Sequence, residues 1–299
     1  MTLFIEVLCK CACATRLVRV PHNQHDGKQI VNLSFRQRIG FLLAILTVAI
    51  AVVFVLPPIP QDPNYHLFAD TRGFFGIPNF GDVASNLGFA IVGVVALAAL
   101  MARRSDVFDH PRDARPYLVF FIGVALVSLG SAYYHWEPSN ERLLWDRLPM
   151  SVAFMAISAG VVADRIDTKV GNGWLLGLLI ALGLGSLIYW DWTESLGRGD
   201  LRTYGLVQFY PMIALPFIVW LFREHRYTAG RYLLWVIAWY GLSKVFEFFD
   251  RGVFELTAQT VSGHTLKHLA AAVATYVVLR MLLSRPSRSG GPVTSRERP

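Results

Sequence analysis

The chain has 299 residues, of which 54% are hydrophobic, 13% aromatic and only 16% charged, with a mean hydropathy of +0.42. This composition excludes an ordinary water-soluble domain, and the lack of roughly 10-residue segments alternating apolar and polar excludes a membrane β-barrel. The formal charge of +7 is not gathered on one amphipathic or RNA-like segment, so it implies no nucleic-acid partner.

Apolar runs close to the roughly 20 residues that cross a bilayer recur along the chain. They predict an all-α polytopic membrane bundle. Residues 1–38 read as a basic N-terminal tail, 39–60 as an additional transmembrane helix, 61–284 as a seven-helix membrane domain and 285–299 as a disordered basic tail. Eight spans are expected, at about 40–57, 83–102, 116–136, 148–163, 173–190, 205–222, 230–249 and 264–283. The only cysteines, Cys9, Cys11 and Cys13, offer the membrane domain no disulfide framework and read as reduced thiols of the tail rather than a metal site. Glu6 and Lys10 interrupt the first apolar run, so it is not a standard signal peptide.

Lysine and arginine concentrate in the two tails and in the alternate connections around Arg103, Arg165 and Arg223, which by the positive-inside rule places both termini in the cytoplasm. That parity carries three widely separated polar segments to the opposite, outer face. His135 ends an outgoing span, Asp146 opens the returning one, and His264 and His268 open the last. In a bacterium this would be the periplasmic side of the inner membrane, and in a eukaryote the luminal or extracellular side.

His264 and His268 are four apart, hence on one helical face with Cβ atoms about 5–6 Å apart, which suits two imidazoles converging on one Zn²⁺. His135 is the natural third ligand, leaving a fourth position for water. Ser131 lies one turn deeper than His135. Asp146, reached through a short connection containing Pro138 and Asn140, is placed to accept a proton from a water that zinc has made acidic. Each residue alone has a plainer reading: an interfacial histidine, a helix-capping Asp146, a Ser131 bonded to its own backbone. Lys244, Glu247 and Asp250 recur every three residues on the seventh span and share a face, where charges pair or border a cavity. Gln208 and Tyr210 read either as substrate-orienting or as packing residues. Asp191, Glu194 and Asp200 read as a solvated loop.

Ser131, His135, Asp146, His264 and His268 resemble the Ser-x-x-x-His, Asp and His-x-x-x-His pattern of the alkaline ceramidases and their relatives in the CREST superfamily, which includes the progestin and adiponectin receptor-like proteins. LLWDRLPM at 143–150 is similar to the ceramidase LLDELPM segment, and VASNL at 83–87 to the first core helix. The resemblance covers about residues 70–283. It implies a seven-helix core holding zinc through three histidines, with Asp146 as general base and then proton donor to the leaving amine, Ser131 stabilising the oxyanion, and a lipid amide entering from the bilayer. The segment before the first core helix offers Asp70, Asn79 and Asp82 but no glutamate cluster, which speaks against calcium regulation. Two other classes compete: a receptor-like or signalling protein with structural zinc, and a transporter built on the polar row of the seventh span.

Overall fold

The computed structural model describes residues 33–223 and 230–285. The cysteine run, most of the N-terminal tail and the C-terminal tail beyond Arg285 lie outside the described residues. Among the described residues there is no β-strand, only a single bridge between Phe74 and Ile77.

The long helices are α1 (Phe35–Val55), α3 (Leu87–Val107), which follows the short α2 (Phe80–Ala84), α4 (Arg115–Trp136) and α5 (Asn140–Arg165). Then come a short α6 (Thr168–Asn172), α7 (Trp174–Ser195), α8 (Arg202–Leu221), α9 (Gly230–Phe248), the short α10 (Asp250–Leu256) and α11 (Gly263–Leu283). Seven segments are long and apolar enough to cross a membrane: α1, Phe80–Val107, Pro111–Trp136, α5, α7, α8 and α11. The chain therefore has the make-up of a multi-pass membrane protein. The remaining expected span exists as the helix α9, but it carries Arg231, Lys244 and Glu247 and is not among the seven.

Side-chain caps set the starts of the two helices that matter most. Ser139 accepts from the Arg142 amide at the head of α5, and Ser262 accepts from the Thr265 amide at the head of α11. The start of α5 corrects the expected span: the helix begins at Asn140, so Asp146 lies in its second turn and does not cap it.

The helix α4 packs most extensively on α5, and α9 on α11. Two glycines permit close approaches next to the site. A Cβ on Gly130 would lie 2.2 Å from the Trp145 carbonyl oxygen, and one on Gly263 would lie 2.3 Å from that of Phe246. Such small residues let helix backbones meet in the absence of a hydrophobic drive between them. Large apolar side chains such as Ile91, Leu129, Ile188 and Trp235 point outward and are exposed, as expected of helices whose solvent is lipid.

The end of α4 and the beginnings of α2, α5 and α11 meet at one end of the bundle, under the segment that runs from Ile59 to Asn79. There Phe68, Tyr134, Leu143, Leu187, Trp190 and Tyr204 form a buried cluster. The far end is tied by Asp164 of α5, which accepts from Tyr117 of α4 and from Arg285, both at 2.5 Å.

Candidate metal centre

His135 is carried by the last turn of α4, and His264 and His268 by the first turns of α11. All three are buried, and one potential ligand atom from each lies within 4.8 Å of the others. The Nε2 atoms of His135 and His264 are 3.2 Å apart. Nitrogens bound at 2.0–2.1 Å to a tetrahedral zinc stand about 3.3 Å apart, so this spacing suits two imidazoles sharing one ion. Three neutral nitrogen donors leave a fourth position, as open zinc sites do.

The surrounding residues settle how the rings are held. Ser85 donates its hydroxyl proton to the Asp82 carbonyl at 3.1 Å, so its oxygen accepts from Nδ1–H of His268 at 2.8 Å. That fixes the tautomer and leaves Nε2 of His268 with its lone pair toward the other histidines. The His264 amide donates to Oδ1 of Asp250 at 2.7 Å, while Oδ2 of Asp250 accepts from the Ala69 amide at 2.8 Å. One carboxylate thereby joins the head of α11 to the overlying segment. Asn79 donates to the His135 carbonyl at 2.8 Å. Phe68 lies over the group, with ring centroids 4.7 Å from His135 and 4.4 Å from His264. Of the ring nitrogens, Nδ1 of His135 is buried without a hydrogen-bond partner.

Ser131 and Asp146 are both buried. A Cβ on Gly130, next to Ser131, would lie 3.5 Å from the Asp146 Cα, so the two residues stem from facing turns of α4 and α5, and Asp146 makes no ion pair among the described residues. Both border a cavity of about 140 Å³ that also touches His268. On α11 its wall runs from Lys267 and His268 through Ala271 and Ala274 to Val278. The ten steps from His268 to Val278, at 1.5 Å each, make this about 15 Å long. Phe89, Phe120, Val124, Val127 and Ile157 line it as well.

The five residues singled out from the sequence are thus brought together at one end of the bundle. The polar row resolves into two functions. Glu247 bonds Lys244 within α9 and also Lys267 of α11 at 3.1 Å, and all three border the cavity. Tyr65 donates to the same carboxylate at 3.3 Å, and burial raises its phenol pKa, keeping that proton in place. Asp250 instead anchors His264. Gln208 lines the cavity and donates to Tyr240 at 3.0 Å, whereas Tyr210 is not among the lining residues.

The reading of Asp200 as a solvated loop residue is corrected. It is buried and takes both Nε and Nη2 of Arg202 at 2.8 Å, together with the Tyr189 hydroxyl at 3.0 Å. Glu194 is half-buried and accepts from Asn140 at 3.4 Å, whereas Asp191 is exposed. Of the residues weighed for calcium, Asp70 and Oδ1 of Asp82 take protein donors, whereas Oδ2 of Asp82 is buried without a hydrogen-bond partner. Arg72 grips Asp70 and lowers its pKa below the usual carboxylate range. Asp82 takes the hydroxyls of Ser262 and Thr265 at 3.2 and 2.8 Å.

Ser85, Asp250 and Phe68 were not legible as parts of the centre. VASNL hinted at Ser85 only through likeness, because its partner lies 183 positions away. The fold and the site together define a multi-pass helical protein with a buried three-histidine site able to hold a metal ion. No protein-family model matches the chain, and no curated protein matches it significantly.

Proposed function

We propose that the chain is a zinc-dependent integral membrane amidase, which hydrolyses the amide bond of a ceramide-like lipid to a fatty acid and a long-chain amine. The observation that carries this reading is the convergence of His268, Ser131 and Asp146 on one cavity that continues about 15 Å along α11, past Ala271 and Ala274 to Val278. A metal-binding group, a carboxylate and a hydroxyl at the head of an acyl-sized groove form the set that amide hydrolysis requires.

When bound, zinc supplies Lewis acidity toward the amide carbonyl and toward water. Asp146, which makes no ion pair among the described residues, takes the proton of the attacking water and delivers it to the leaving nitrogen. Ser131 donates its hydroxyl proton to the carbonyl oxygen as negative charge develops there. Phe68 covers the histidines and limits water, which strengthens each of these interactions. The concentration of Lys and Arg in the tails and alternate connections favours cytoplasmic termini, with the site toward the outer face.

The test is zinc content per chain together with fatty-acid release from a panel of lipid amides, on purified wild type and His264→Ala. About one zinc per wild-type chain, lost in the variant together with cleavage, is the expected result. Zinc without cleavage of any amide would transfer the site to a receptor-like role, and absence of zinc would refute the proposal.

A further inference from the structure

Arg147 follows Asp146 in α5 and is buried, yet it has no carboxylate within ion-pair distance among the described residues. Its guanidinium sits among three aromatic rings, 5.6 Å from the centroid of Tyr65, 4.6 Å from Trp190 and 5.0 Å from Tyr204. Nη2 donates to Oε1 of Gln61 at 2.8 Å, and Nη1 is buried with no partner. A guanidinium has five N–H donors. Burial without a counter-charge is costly, and cation–π contacts of about 0.5–2 kcal/mol each offset only part of that cost.

Arg147 borders the same cavity as Asp146. Arg147, Lys244 and Lys267 bring three cations to its lining against the carboxylates of Asp146 and Glu247, and Glu247 is shared by the two lysines. The lining thus carries three cations against two carboxylates, and of the three cations Arg147 alone makes no ion pair among the described residues. The polar lining residues Arg147, Gln208, Tyr240 and Lys244 come from α5, α8 and α9, while apolar side chains that suit an acyl chain, among them Val124, Phe154, Leu215 and Ala274, come from all sides of the cavity.

We propose that Arg147 receives an anionic group, a carboxylate or phosphate, on the amine half of the lipid amide, so that the preferred substrate is an acidic N-acyl lipid rather than a neutral one. This specificity rests on the amidase reading above. The guanidinium is preorganised by its aromatic cage and by Gln61, and an anionic oxygen supplies the charge-assisted hydrogen bond that Nη1 lacks.

The experiment measures binding to the full chain, purified in detergent and stripped of metal, so that affinity is read without turnover. The probes are N-palmitoylglycine, N-palmitoyl-O-phosphoethanolamine, neutral N-palmitoylethanolamine and palmitate. Wild type is expected to bind one or both acidic amides at least about tenfold more tightly than the neutral amide, the value of one charge-assisted hydrogen bond. Arg147→Gln should bring that ratio close to one, and Arg147→Lys should restore part of it. A merely structural role would weaken all the probes alike.

Equal affinity of wild type for acidic and neutral amides would overturn the proposal even if the variants did not fold. So would an unchanged ratio in folded Arg147→Gln, or palmitate binding as tightly as the acidic amides with the same loss in that variant. Failure of the metal-loaded protein to cleave any amide would instead refute the amidase reading and leave this affinity ratio standing as a separate result.

Discussion

Ser85 and His268 are joined by a 2.8 Å hydrogen bond between α11 and the turn after α2. With the serine hydroxyl directed at the Asp82 carbonyl, the serine oxygen is an acceptor for Nδ1–H of His268, which turns Nε2 toward the other two histidines. Losing that donation frees both the tautomer and the ring angle. Ser85→Ala is expected to weaken zinc binding about 10–100-fold, the range found when partners of ligating histidines are removed. Competition with a zinc chelator reads this directly, and an unchanged zinc affinity would show that packing alone holds the ring.

Asp146→Asn keeps the size of the side chain and removes its basicity. The three histidines do not depend on it, so zinc content should match wild type while turnover falls about 10²–10⁴-fold, the usual contribution of a positioned acid–base group. Loss of zinc in this variant would instead make Asp146 a ligand.

Gly130 sets the distance between α4 and α5, the two helices that carry Ser131, His135 and Asp146. With the Trp145 carbonyl oxygen 2.2 Å from the added carbon, Gly130→Ala must push the helices apart. A loss of about 1–3 kcal/mol is expected from such overpacking. Thermal unfolding in detergent should show the lower midpoint, and a midpoint equal to wild type would mean that the helices slide freely here.

The Arg202 guanidinium, with the Tyr189 hydroxyl, lowers the Asp200 pKa from 3.8 to about 2. A carboxyl whose folded pKa is depressed contributes stability that is complete above its unfolded pKa and lost as pH falls through the folded one. The connection between α7 and α8 should therefore loosen between pH 3.8 and about 2. Asp200→Asn should remove that pH dependence and destabilise the protein at neutral pH. Acid titration of wild type and variant, followed by tryptophan fluorescence, checks both, and identical acid transitions would rule out Asp200 as their source.

Helix positions and the histidine pair were legible because both are local. A span needs only a run of apolar residues, and two histidines four apart share a face on any α-helix. The expected last span, 264–283, accordingly differs by one residue from the observed Gly263–Leu283. Ser131 with His135 follows from the same periodicity. Where local signals competed, the reading slipped. The polar run from Asn140 to Arg147 looked like a connection because its hydropathy is low, yet Ser139 caps a helix there, with Leu143 buried on its inner face. The span expected at 230–249 is the helix Gly230–Phe248, and two of its charges, Lys244 and Glu247, pair at the cavity rather than toward lipid.

By itself the sequence determined that the chain is a bundle of membrane-length helices and that three histidines, a serine and an aspartate lie near helix ends. Only the tertiary structure decided that the histidines converge, that Ser85 and Asp250 hold two of them, that Phe68 covers them, and that Arg147 faces the cavity without a carboxylate. The reason is range. Helical periodicity is written within a few residues, whereas the contacts that orient the site join positions 14 to 183 apart, and no local pattern specifies which distant side chain completes a hydrogen bond.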